Sequence, residues 1–120
     1  MPRNISFALT TDQIRNRTKT VTRRLGWKKL KEGDVLNACV KCMGLKPGEK
    51  IERICQIRVV SAMQEPLWKM ITNAEYGKQE AIREGFPEMS GNDFVSMFCE
   101  NMRPLYGLVT EVTRIEFEYI

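Results

Sequence analysis

Thr18-Lys19-Thr20-Val21-Thr22-Arg23-Arg24 is the stretch that decides how this chain is read. β-branched and apolar residues alternate there with polar and cationic ones, the pattern of a strand. Residues two apart share a face of a strand. Lys19, Val21 and Arg23 therefore fall on one side, and Thr18, Thr20, Thr22 and Arg24 on the other. A rigid strand that displays ammonium, guanidinium and hydroxyl groups suits an anionic or polar ligand. The surrounding sequence is the most basic in the chain. Residues 1–32 carry nine Lys/Arg against Asp12 and Glu32, a net of +7, whereas the remaining 88 residues carry a net of −3. Charge segregated in this way steers phosphate-bearing partners, so a nucleic acid or a nucleotide-like substrate is expected.

Outward from that strand, other elements follow. Ile5–Leu9 reads as a short strand, and Thr10 with Gln13 forms a capping box that opens a short helix to about Asn16. Gly26–Lys31 is a basic loop in which Trp27 either covers a core edge or stacks on a base. Glu32-Gly33-Asp34 is a turn, Val35–Val40 a strand, Pro47-Gly48 the centre of another turn and Ile51–Ala62 a longer strand. Thr72 with Glu75 forms a second capping box for a helix to about Arg83. Ser90-Gly91-Asn92-Asp93 starts another helix, with Phe94, Met97 and Phe98 on one face. In Thr110–Ile120, Arg114, Glu116 and Glu118 alternate with Ile115, Phe117 and Tyr119, which predicts one wet and one buried face. Non-local strands with few βαβ units predict an α+β fold, a mixed, mostly antiparallel sheet curled into a small barrel with about three helices around it.

At 120 residues, 42% hydrophobic and 28% charged, the chain suits one ordinary globular domain spanning 1–120. No stretch approaches the ~18 apolar residues of a membrane span, and no secretory leader is read at Met1-Pro2-Arg3-Asn4. A cytoplasmic protein without membrane contact is expected, with Cys39, Cys42, Cys55 and Cys99 as reduced thiols.

The chain contains no histidine. Ser-His-Asp and Cys-His catalysis and imidazole-dependent zinc sites are thereby excluded. Cys39-x-x-Cys42 lacks a second pair at zinc-site spacing, so ordinary thiols are expected, with no metal and no cofactor. No glycine-rich phosphate loop is present. Glu84-Gly85-Phe86 places a carboxylate at a helix end beside a glycine that lets the backbone reverse. If that helix crosses the barrel mouth, Glu84 faces Lys19 or Arg23.

Lys19-Thr20-Val21-Thr22-Arg23, Gly33-Asp34-Val35-Leu36, Glu84-Gly85-Phe86 and the closing strand together resemble the ASCH domain family of the PUA-like superfamily. The resemblance follows the chain in order over nearly its whole length. It implies a small β-barrel with helices around it and a cleft at one mouth. It also implies a link to RNA and modified nucleosides, including amidohydrolases that deacetylate acetylcytidine. The amidohydrolase pattern of a Lys, a Thr three residues later and a helical Glu falls on Lys19, Thr22 and Glu84, with Glu80 as the fallback for the last. Family members often carry a glycine just before the Lys-Thr pair. This chain has Asn16-Arg17-Thr18 there, and Asn16 is expected to take the left-handed turn.

Two principal readings follow. One is a module that binds RNA or a modified nucleoside, with Arg17, Arg23 and Arg24 on oxygens and Trp27 or Phe86 stacked on a base. The other is an amidohydrolase of an N-acylated nucleoside, with Lys19, Thr22 and Glu84 catalytic. A ribonuclease or a protein-interaction module is less favoured. The hydrolase carries a geometric requirement: strict alternation separates Lys19 from Thr22, so a bulge near Thr20-Val21 is expected to reunite them.

Overall fold

The computed structural model describes residues 2–120. Five strands, β1 (Arg3–Ser6), β2 (Val21–Arg24), β3 (Val35–Cys39), β4 (Arg53–Pro66) and β5 (Glu111–Tyr119), form one sheet in the order β1-β3-β4-β5-β2. β1 runs parallel to β3, and the other pairs are antiparallel. The helices are α1 (Thr11–Arg15), α2 (Lys69–Thr72), α3 (Ala74–Arg83) and α4 (Gly91–Met102), with a 3-10 turn at Gly107–Val109 before β5. The α+β expectation holds. The mixed sheet curls as expected into a half-barrel, with no backbone ladder joining β1 to β2 among the described residues. Four helices, one of them the four-residue α2, pack around it.

The curl has a local cause. The β4–β5 register shifts between Val59 and Ser61, and an extra residue on one strand bends it and increases its twist. The concave side holds Ile5, Phe7, Ile14, Leu36, Ile57, Val59, Ile115 and Phe117. Leu67, Met70, Ala81, Phe94, Val95, Phe98 and Val112 form a second core under α2, α3 and α4. A side chain spans the open seam: Arg24 Nη2 donates to the Ser6 carbonyl at 2.6 Å, and its guanidinium lies 4.8 Å from the centre of the Phe7 ring.

Both faces of β5 are covered at Arg114, which is buried, so the expected wet face begins only at half-buried Glu116 and exposed Glu118. α3 and α4 meet through glycine. A Cβ on Gly77 would lie 2.1 Å from the Met70 carbonyl oxygen and 2.9 Å from Gly91 Cα, closer than packed atoms approach.

The helix starts differ from the sequence expectation at two of three places. Ser90 and Asp93 cap α4 reciprocally. Thr10 makes no side-chain cap for α1, and Thr11 Oγ1 donates to the Phe7 carbonyl at 2.8 Å instead. α3 is capped by Asn73, which accepts from Tyr76 N–H, one residue beyond the expected Thr72. Asn competes as well as Thr for that position and precedes the first helical residue.

Candidate functional site

A cavity of about 210 Å³ opens along the free edge of β2. Its walls come from the Ser6–Thr10 segment, from β2 and Lys19 just before it, from Glu84 and Phe86 after α3, and from Phe94, Met97, Phe98 and Met102 on α4. Lys19, Thr22 and Glu84, read from the sequence as one constellation, all line it.

No bulge in β2 unites them. Its ladder to β5 is regular, with Val21 opposite Glu116 and Thr22 opposite Ile115. Lys19 precedes the ladder, and β2 is an edge strand, so side chains from both of its faces reach a cavity that wraps its unpaired side. Tyr119 fixes the backbone of Lys19 by donating from its hydroxyl to the Lys19 carbonyl at 2.6 Å. Burial pushes that phenol up to about 12, so it stays a donor across the working range.

Glu84 sits at the end of α3 because Gly85 lets the chain reverse. Gly85 N–H donates to Ile82 and Phe86 N–H to Ala81, the paired bonds of a Schellman turn, with Gly85 at φ 98°. Gly85 is also tightly packed, since a Cβ there would meet Gln13 Cγ at 2.8 Å. Lys19 Nζ donates to Glu84 Oε1 at 2.7 Å and to the Glu84 carbonyl at 2.8 Å. Burial outweighs the attraction of Glu84 and lowers the Lys19 pKa below its ordinary value. An ammonium has three N–H positions, so one remains for a ligand. Thr22 Oγ1 accepts from Arg24 Nε at 3.0 Å, which leaves its own proton to give. Burial lowers the Arg24 guanidinium to about 10.

Behind this cavity wall lies a charge cluster that the sequence reading did not find. Arg23 and Arg114 face each other directly across β2 and β5, an arrangement that repels. Glu80, fully buried on α3, joins them: Oε1 accepts from Arg23 Nη2 at 2.7 Å and from Arg114 Nε at 2.5 Å. Oε2 also accepts from Arg83 at 2.7 Å. Burial opposes ionisation of Glu80, but the bonds from Arg114, Arg23 and Arg83 outweigh it and hold the carboxyl at about 2. Arg23 further donates to Glu65 at 2.7 Å and to Glu84 at 3.0 Å. Burial works against its charge, yet Glu84, Glu65 and Glu80 together raise its pKa. The Tyr76 hydroxyl closes the network on Glu65 at 2.5 Å; burial first, then Glu65, raises that phenol.

The other residues singled out from sequence separate clearly. Glu84, not Glu80, is the carboxylate at the cavity, and Glu80 serves the cluster behind it. Arg24 and Phe86 line the cavity. Arg23 lines it as well, but both its Nη atoms are committed to carboxylates. Arg17 does not reach it: its guanidinium lies 5.3 Å from the centre of the Tyr119 ring on the outside. Arg17 rather than Asn16 takes the left-handed turn, at φ 62°, while Asn16 caps it by accepting from Thr18 N–H and Oγ1. Trp27 also lies away from the cavity, half-buried against the concave core with Arg3 stacked 4.1 Å from its ring centre. Cys39 Sγ donates to the Asn37 carbonyl, and burial beside the Cys42 thiol pushes it up to about 11. Among the described residues, no three His, Cys, Asp or Glu side chains are arranged to hold a metal ion. Nor does any helix among them have the length and apolarity to cross a membrane.

No protein-family model matches the chain, and no curated protein does. Among solved structures, the fold is similar to the crystal structure of protein EF3133 from Enterococcus faecalis, described as belonging to DUF984. The TM-score is 0.62 over all of this chain and 80% of that one, at 14% identity. Such a likeness establishes a shared fold and no more.

Proposed function

We propose that this protein is an ASCH-type amidohydrolase that removes the acyl group from an N-acylated nucleoside such as acetylcytidine. One observation carries the reading: Lys19, Thr22 and Glu84, drawn from two distant segments, converge on one small cavity with aromatic walls. Phe86, Phe94 and Phe98 offer a base the apolar surface it needs. The ASCH resemblance of the sequence supports placing the activity there.

Thr22 Oγ attacks the acyl carbonyl carbon, and its proton passes to the Glu84 carboxylate. Arg24 Nε stabilises the oxygen as it loses that proton. The remaining N–H of Lys19 faces the carbonyl oxygen as it becomes an oxyanion. Collapse breaks the C–N bond, and Glu84 returns the proton to the departing amine. Water then cleaves the Thr22 ester by the same steps in reverse. Lys19→Met and Thr22→Val are expected to stay folded and to lower acetylcytidine turnover by about 10²–10⁴-fold. A folded wild type that turns over no N-acylated nucleoside overturns the proposal. The competing reading, a module binding RNA without chemistry, draws on exposed Lys28, Lys29 and Lys31 beside Trp27. It predicts RNA affinity that falls steeply with salt.

A further inference from the structure

The fully buried charges around the cavity balance, and half-buried Arg24 beside them is an additional cation. Arg23, Arg114 and Lys19 are matched by Glu65, Glu80 and Glu84 through ion pairs of 2.5–3.0 Å. Arg24 is left over. Among the described residues no carboxylate lies within ion-pair distance of it, and its partners are the Thr22 hydroxyl, the Ser6 carbonyl and the Phe7 ring. A guanidinium has five N–H donors, of which Arg24 uses one on Nε and one on Nη2. Three N–H groups, two on Nη1 and one on Nη2, therefore remain without a partner. Arg23, a neighbouring lining residue, has a buried Nε with no hydrogen-bond partner. The unpaired charge and unused N–H groups of Arg24, which lines the cavity, call for a ligand with acceptor oxygens and negative charge.

We propose that the cavity binds a carboxylate, and that the preferred substrate is a nucleoside whose N-acyl chain itself ends in a carboxylate, as in a succinyl group. For its hydrolysis this rests on the amidohydrolase reading; for binding it rests on the cavity alone. The carboxylate belongs to the acyl chain because Arg24 touches Thr22 Oγ1, the atom that meets the acyl carbon. The planar fork of Arg24 matches a carboxylate in two parallel bonds. Hydrolysis breaks the amide C–N bond, water supplies the hydroxyl and the proton, and the products are the free amine and a dicarboxylate.

The test uses purified wild type and Arg24→Gln, titrated calorimetrically at fixed ionic strength with succinate, its neutral diamide succinamide, and inorganic phosphate. Succinate is expected to bind wild type at least about tenfold more tightly than succinamide. Arg24→Gln is expected to lose that difference. In wild type, kcat/KM for N-succinylcytidine is expected to exceed that for acetylcytidine by a similar factor. Equal binding of succinate and succinamide overturns the proposal, and so does an Arg24→Gln protein that keeps the preference. Phosphate binding as tightly as succinate overturns the carboxylate assignment. If Arg24→Gln does not fold, the wild-type comparison decides alone. Succinate binding without turnover of either nucleoside refutes the hydrolase and leaves the carboxylate site standing. Equal turnover of both nucleosides without succinate binding does the opposite.

Discussion

Glu80→Gln removes one charge and almost no volume from the centre of the cluster behind the cavity. Glu80 accepts from Arg23, Arg83 and Arg114 and is fully buried, so the change leaves Arg23 and Arg114 opposed across the strands with a neutral amide in place of the carboxylate between them. Its folded carboxyl is held at about 2 against an ordinary 4.5. At about 1.4 kcal/mol per pH unit, that gap amounts to about 3 kcal/mol of stability at neutral pH. Breaking one partner of a buried ion pair independently costs about 3–5 kcal/mol. The variant is therefore expected to lose about 3 kcal/mol in urea unfolding at pH 7, with a fall in Tm of about 10 °C. The pH dependence separates this cause from simple misfit. A carboxyl whose pKa is depressed by folding stabilises fully above 4.5 and loses that stabilisation as pH falls toward 2. The difference between wild type and variant should thus shrink to about 1–2 kcal/mol near pH 3. A difference below about 0.5 kcal/mol at pH 7 refutes the reasoning, as does one of constant size from pH 3 to 7.

Gly85→Ala is expected to destabilise by about 2–3 kcal/mol in the same urea assay, because Gly85 has φ 98° and the added Cβ would lie 2.8 Å from Gln13 Cγ. Since the turn places Glu84, acetylcytidine turnover should fall further than folding alone accounts for; unchanged activity in the folded fraction contradicts the placement. Tyr119→Phe removes the hydroxyl that holds the Lys19 carbonyl and is expected to cost about 1 kcal/mol. Its larger effect should be on kcat rather than KM, and a change confined to KM would detach Tyr119 from the positioning of Lys19.

The apolar framework was legible in the sequence wherever the pattern had one cause. Ile115 and Phe117 alternate out of solvent because one face of β5 meets the concave core. Ser90 and Asp93 announce α4 because both halves of the box are satisfied locally. Arg114 shows the opposite case: its alternation predicts a wet face, yet Glu80, thirty-four residues earlier, is paired with it in the interior. Nothing local marks Glu80 as the partner of Arg23 and Arg114, since the register of β2 on β5 brings those two together. The helical spacing of Glu80 and Glu84 puts both on one side of α3, which explains why sequence offered them as alternatives for one role. They hold successive positions instead, one in the cluster and one at the cavity. α2 escaped notice because four residues are too short to show a period. Charge and aromaticity alone assign Arg17 and Trp27 to the site, and each is instead committed to another ring or side chain outside it.

The position of β2 at the sheet edge reconciles the strand pattern with the cavity. A central strand shows one face to each layer, so Lys19 and Thr22 could meet a common ligand there only through a bulge. At an edge the unpaired side is open, and a long side chain from one face can meet a short one from the other. The cost is an exposed backbone edge, a ready template for unwanted pairing. Here Thr20 N–H is taken by the Arg83 carbonyl, and the Arg24 side chain crosses to Ser6 on β1, so the gap between the two edges is bridged without a ladder. The same guanidinium that spans the seam through Nη2 holds Thr22 Oγ1 through Nε and keeps three N–H groups free. Neutralising the seam with a local carboxylate would satisfy Arg24 permanently. With Glu65, Glu80 and Glu84 already engaged by Lys19, Arg23 and Arg114, its uncommitted charge is left for whatever enters the cavity.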